Sequence, residues 1–150
     1  MGLRLTLHNG SKVLLDLPLN ESDWDPELKQ FIIKELTESE ADLDTLCEIS
    51  GFFSNKRRVQ ILSHIIRDCD NSATFTDLLK VAVNPKYVSD LVNKPPGRDI
   101  VVRNGRGYSV SPFGVGSFLL LSLATRRLVK EIGYINSDDN SFGVGKQGED

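Results

Sequence analysis

Between Asn84 and Phe113 the chain reads NPKYVSDLVNKPPGRDIVVRNGRGYSVSPF, and few backbones accept that order of residues. Asn84-Pro85 is a helix start, with Asn as cap and Pro at the first helical position, where the amide would lack a partner anyway. Val88, Leu91 and Val92 then supply one apolar face. Lys94-Pro95-Pro96-Gly97 must end this helix, because two prolines cannot continue it and Gly permits a reversal. Ile100 to Arg103 and Tyr108 to Val110 are β-like runs joined by Asn104-Gly105-Arg106-Gly107. The segment is predicted to be a short helix, a break and a cationic two-stranded ribbon.

Charge sets this region apart. The 150-residue chain has a net charge of −3, but residues 1–51 carry 4 Lys/Arg against 11 Asp/Glu, a net −7. Residues 52–132 carry 13 against 6, a net +7, and residues 133–150 carry 1 against 4, a net −3. A basic middle between acidic flanks points to a polyanionic partner for the middle, or else to attraction between the halves. The length fits one domain with a modest extension. Cys47 and Cys69 are too few and too far apart for a disulfide scaffold or a zinc site, and are expected to be small core residues. The most apolar window, Phe118 to Leu123, is far shorter than the ~20 residues that span a bilayer. The opening alternates Leu with polar residues, so no secretory leader, no membrane partner and a cytoplasmic setting are expected.

Residues 3–17, LRLTLHNGSKVLLDL, signal a hairpin around Asn9-Gly10. A two-residue Asn-Gly loop would mix apolar and polar faces. A three-residue His8-Asn9-Gly10 loop with Gly10 left-handed pairs Leu5 with Val13 and Leu3 with Leu15, and is preferred. Asp25-Pro26 starts a helix carrying Leu28, Phe31, Ile32 and Leu36. Thr37-x-x-Glu40 is a capping-box pattern that restarts the chain as a second helix, through Ile49 and stopped by Gly51. Ser54 is expected to cap a helix over 55–69, with Val59, Leu62, Ile65 and Ile66 as its buried stripe and Ile61 alongside. Thr74-x-x-Asp77 opens a short helix through Ala82. Ser111-Pro112 leads into a last helix at about 115–132. The expected divisions are an acidic extension at 1–51, a core domain at 52–113, a final helix at 114–135 and a disordered tail at 136–150.

Helix, short helix, helix, ribbon, long helix is the order of an ArsR-like winged helix-turn-helix, of the prokaryotic, archaeal type. Arg58-Val59-Gln60-Ile61-Leu62 is similar to that family's first core helix, and Phe75-Thr76-Asp77-Leu78-Leu79 resembles its second. Asn84-Pro85-Lys86-Tyr87-Val88-Ser89 resembles the Ser-Pro-x-x-Val-Ser opening of its recognition helix. Tyr108-Ser109-Val110-Ser111-Pro112-Phe113-Gly114 resembles the Tyr-x-Leu-Thr-x-x-Gly that closes its wing. The resemblance covers about residues 52–132. It implies an α+β winged helix domain with an N-terminal hairpin and two-helix extension, and a homodimeric regulator of transcription that binds double-stranded DNA. The Asn93-Lys94-Pro95-Pro96-Gly97 link departs from the family pattern, and the paired cysteines of its metal-sensing branch are missing.

On a helix anchored by Val88, Leu91 and Val92, the residues Lys86, Tyr87, Ser89, Asp90 and Asn93 are expected to face outward and read base edges. Arg103, Asn104 and Arg106 form the expected wing at a minor groove. Lys56, Arg57 and Arg98 are expected phosphate contacts, which fix position without reading sequence; Arg58 would instead pair with a carboxylate of its own domain. The final helix is too broadly apolar for one domain to cover, so Val115, Phe118, Leu119, Leu121 and Leu128 are expected to dimerise. Gly143-Val144-Gly145-Lys146 lacks the residues of a phosphate loop. No catalytic set, metal site or cofactor is expected, and no effector ligand is named by these residues. The competing reading is a winged helix that serves as a protein-contact adaptor in a transcription or chromosome-maintenance assembly.

Overall fold

The helix carrying Ile61, Leu62 and Ile65 is the post around which the larger part of the chain packs, and all three side chains are fully buried. The computed structural model describes residues 2–134, so the expected tail at 136–150, with Gly143-Val144-Gly145-Lys146, lies outside the described residues. The chain divides into two units between Asp44 and Thr45. It is α+β, with two small antiparallel sheets, an architecture compatible with the expected winged helix.

The first unit holds β1 (Arg4–Asn9), β2 (Lys12–Pro18) and α1 (Pro26–Ser39). Its hairpin register differs from the expected one. The turn is Gly10-Ser11, Leu5 pairs with Leu17 and Leu7 with Leu15, and a bulge follows Leu7. Leu14 is the extra residue. The one-residue slip that keeps leucines together is thus absorbed inside β2 instead of in a longer loop. Asp25 caps α1 by accepting from the Leu28 amide at 2.7 Å, with Pro26 at the first position, as expected. Only Ile32 of the predicted stripe is buried; Phe31 and Leu36 are exposed.

Two predicted helix boundaries are overturned. Thr37 does not restart the chain, because its hydroxyl donates to the Ile33 carbonyl at 2.8 Å inside a continuous α1. A 3-10 turn, Glu40–Asp42, makes the break, and α2 spans Leu43–Phe53. Gly51 does not stop α2, which runs on to place Phe52 in the core. The expected boundary at 51 therefore falls within a helix. Cys47 is exposed, against expectation, while Cys69 packs half-buried on the core.

The second unit continues with α3 (Lys56–Asp68), α4 (Phe75–Ala82), α5 (Pro85–Asn93), α6 (Gly97–Ile100), β3 (Val101–Asn104) and β4 (Gly107–Val110). It closes with α7 (Pro112–Phe118), a π-helical turn (Leu119–Ala124) and α8 (Thr125–Glu131). Asn55, not Ser54, caps α3, accepting from the amides of Arg57 at 3.0 Å and Arg58 at 3.2 Å. The Ser54 hydroxyl instead donates back to the Gly51 carbonyl. Thr74 and Asp77 form the predicted reciprocal capping box. Ser111 caps α7 by accepting from the Gly114 amide, which starts that helix at Pro112, ahead of the expected 115.

The break after α5 is tighter than a simple reversal. Pro95-Pro96 leads straight into α6, and the strand begins at Val101 instead of Ile100. Gly97 is buried there, and a methyl group on it would lie 2.0 Å from the Leu91 carbonyl oxygen. That atom is backbone and cannot step aside. Gly97→Ala is therefore expected to destabilise the fold by at least ~1–3 kcal/mol, the cost of overpacking, with a matching loss in Tm by calorimetry.

Candidate nucleic-acid interface

Orientation of α5 is set at both ends. Asn84 accepts from the Lys86 amide at 2.9 Å, Pro85 follows, and the Lys94 amide closes on the Asp90 carbonyl at 3.1 Å. Val88 and Leu91 are buried and Val92 packs half-buried against the same core. At 100° per residue, positions 86, 89 and 93 share one flank, while 87, 90 and 94 share another. The five expected base-reading residues therefore separate into two groups.

Lys86, Ser89 and Asn93 line an open groove whose far wall is the ribbon, through Arg103 and Tyr108. Pro85, Val92 and Phe75 complete it. Asn93 Nδ2 donates to Ser89 Oγ at 3.2 Å, and both side chains are exposed. Arg103 pairs in register with Tyr108, donates to its phenol oxygen at 3.1 Å and stacks 5.6 Å from its ring centroid. It thus stands on the groove wall, within β3, apart from Asn104 and Arg106 of the expected wing. The tip is Gly105-Arg106, with Asn104 and Arg106 exposed.

Tyr87 and Asp90 leave the reading group. Tyr87 is half-buried, its hydroxyl donates to Asn55 Oδ1 at 3.1 Å, and the Arg57 guanidinium lies 5.7 Å from its ring. Asp90 sits 3.5 Å from Lys94 Nζ and lines a separate cleft with Phe52, Arg58 and Pro96. The partner lysine lies one turn on, so this carboxylate faces a cation instead of the groove.

Among the expected phosphate contacts, Lys56 and Arg98 are exposed. Arg57 is exposed as well, with one N–H donating to the Ala82 carbonyl at 3.4 Å and the guanidinium stacked on Tyr87. Arg58 lies over the Phe52 ring at 5.1 Å, where the sequence suggested a carboxylate partner. Of the five residues expected at a dimer seam, Phe118 is buried and Val115 half-buried in the chain's own core. Leu119, Leu121 and Leu128 are exposed, joined by Leu120 and Leu123. Phe75 was not singled out in sequence; an aromatic at the first position of a helix, half-exposed after its cap, is the signal that would have found it.

Among the described residues no group of three or more His, Cys, Asp or Glu side chains could hold a metal ion, and no helix is long and apolar enough to cross a membrane. No family model, curated protein or solved structure matches the chain.

Two carboxylates are held below their ordinary range. Arg67 and then His64 hold Asp68 well below the usual carboxylate range. Asp77 is lowered first by the Thr74 amide, then by the Thr74 hydroxyl and Lys80. A depressed carboxylate contributes stability that is present above its unfolded pKa, near ~3.9, and lost as pH falls through the folded value. Asp77→Asn is expected to flatten the decline of Tm below about pH 4, and unchanged steepness there would count against the cap.

Proposed function

We propose that the chain is an ArsR-like winged helix-turn-helix regulator that binds double-stranded DNA as a homodimer. The observation that carries the reading is the convergence of Lys86, Ser89, Asn93 and Arg103 on one open groove, beside a helix whose opposite face is wholly anchored. In this reading α4 and α5 are the helix pair, α5 lies in the major groove along the flank of Lys86, Ser89 and Asn93, and β3–β4 is the wing. Lys86 donates to guanine, Ser89 and Asn93 act as a coupled pair on a neighbouring base, and Arg106 reaches the minor groove. Lys56 and Arg98 meet phosphates. The net +7 over residues 52–132 supplies the non-specific attraction.

Binding to duplex is expected to weaken steeply with salt, each phosphate contact adding ~0.9 to the log–log slope. Lys86→Ala is expected to change the preferred sequence at a cost of about 1–3 kcal/mol, whereas Arg106→Ala lowers affinity across most sequences. Electrophoretic shift and duplex selection from a random pool read both; no retardation at ~50 mM salt sinks the proposal.

The homodimer is assigned to the leucines at 119, 120, 121, 123 and 128, which are 37–52% exposed. Leu121→Glu with Leu128→Glu is expected to convert a dimer to a monomer by sedimentation, and a wild type that sediments as a monomer at every concentration overturns this seam. The adaptor reading has one observation of its own: Leu3, Leu5, Leu7 and Leu19 of the N-terminal hairpin are 38–45% exposed, an apolar sheet face suited to protein contact.

A further inference from the structure

The turn between α4 and α5 contains a residue that neither packing nor backbone preference explains. Val83 adopts φ +66° and ψ −36°, and the Asn84 amide donates across it to the Ala82 carbonyl at 2.7 Å. This is a γ-turn of the rare left-handed kind, strained for any side chain and most of all for a β-branched one. Glycine would adopt it freely. The other described non-glycine residues with positive φ are Asp70 and Asn71, types that tolerate it.

Strain of this sort persists in a core when the side chain fills space, but Val83 fills none. It is 75% exposed, the most exposed large apolar side chain among the described residues. The free chain thus carries both a disfavoured backbone and a solvated isopropyl group at one position. Strain kept without a folded-state reason is a pointer to function.

Its place supplies the function. Val83 immediately precedes the Asn84 cap of α5 and stands three residues before Lys86, at the end of the helix that leads into the groove. Hydrogen-bonding groups are present there already; an apolar one is not called for unless its target is apolar. The thymine 5-methyl is the apolar group on the major-groove edge of a base pair. We propose that Val83 is a specificity-determining residue that packs on the methyl group of one thymine in each half-site. This rests on the DNA-binding reading above.

The test uses a duplex selected from a random pool by the full chain, with each thymine replaced in turn by deoxyuridine, which lacks only the methyl. Wild type is expected to lose about fourfold in affinity at one thymine per half-site, the factor for burying one methyl group. Val83→Gly and Val83→Asn are expected to bind thymine and deoxyuridine equally at that position, and V83N to melt at or above wild type. Indifference of wild type to every replacement overturns the assignment and leaves the DNA-binding reading standing. So does unchanged discrimination in the variants, or a V83N that melts well below wild type, which would make the side chain structural. A pool from which nothing is retained overturns the DNA-binding reading itself.

Discussion

One backbone exchange ties the ribbon to the helices. Ala73 and Tyr108 trade amide-to-carbonyl bonds at 2.8 and 2.7 Å, giving β4 a neighbour from the loop between α3 and α4. Asn71 adds a second clamp, accepting from the Val110 amide at 2.7 Å and donating to its carbonyl at 3.2 Å. A two-stranded hairpin is marginal alone, so these bonds fix where it stands. Gly107 makes the approach possible, since a methyl group there would lie 2.7 Å from the Ala73 carbonyl oxygen. With the ribbon so held, Arg103 has no choice but to face α5.

The other wall of the groove depends on the same core from the opposite side. Val88 and Leu91 bury in the core that α3 shares, with α4 and α6 as the neighbours of α5, and the Leu91 carbonyl is backed by Gly97 at the start of α6. Each buried aliphatic contributes about 1.5–3 kcal/mol, enough to hold a nine-residue helix that would not persist alone. Ser111 ties α6 to α7, donating to the Asp99 carbonyl at 2.6 Å while it caps α7. The groove is therefore a by-product of packing behind it, and its polar residues need do no structural work.

Local chemistry was readable where a single residue decides the outcome. Asp25-Pro26, Thr74-x-x-Asp77 and Asn84-Pro85 each begin a helix where expected, because the cap and its amide are neighbours in the chain. The reading failed where the same residue has two uses. Thr37 bonds within α1 instead of capping, and Gly51 continues α2 because Phe52, one residue on, has a core to enter. Tyr87 and Asp90 fall on another flank of α5 by helical spacing alone, and there they pair with Asn55 and Lys94. Phe118 looked like surplus apolar area until the core that absorbs it was in place.

The amino-acid order by itself determined the order of α3, α4, α5 and the ribbon, the anchored face of α5 and the uneven charge, but not α6 or the π-helical turn that divides the last helix. These follow from caps, prolines and helical spacing, which act over a few residues. Which polar groups converge was decided only by tertiary structure. Arg103 meets Lys86, Ser89 and Asn93 because Ala73 and Tyr108, far apart in the chain, hold the ribbon against the helices. No local rule carries that information, since the register between distant segments is set by backbone bonds between residues that the chain itself keeps far apart.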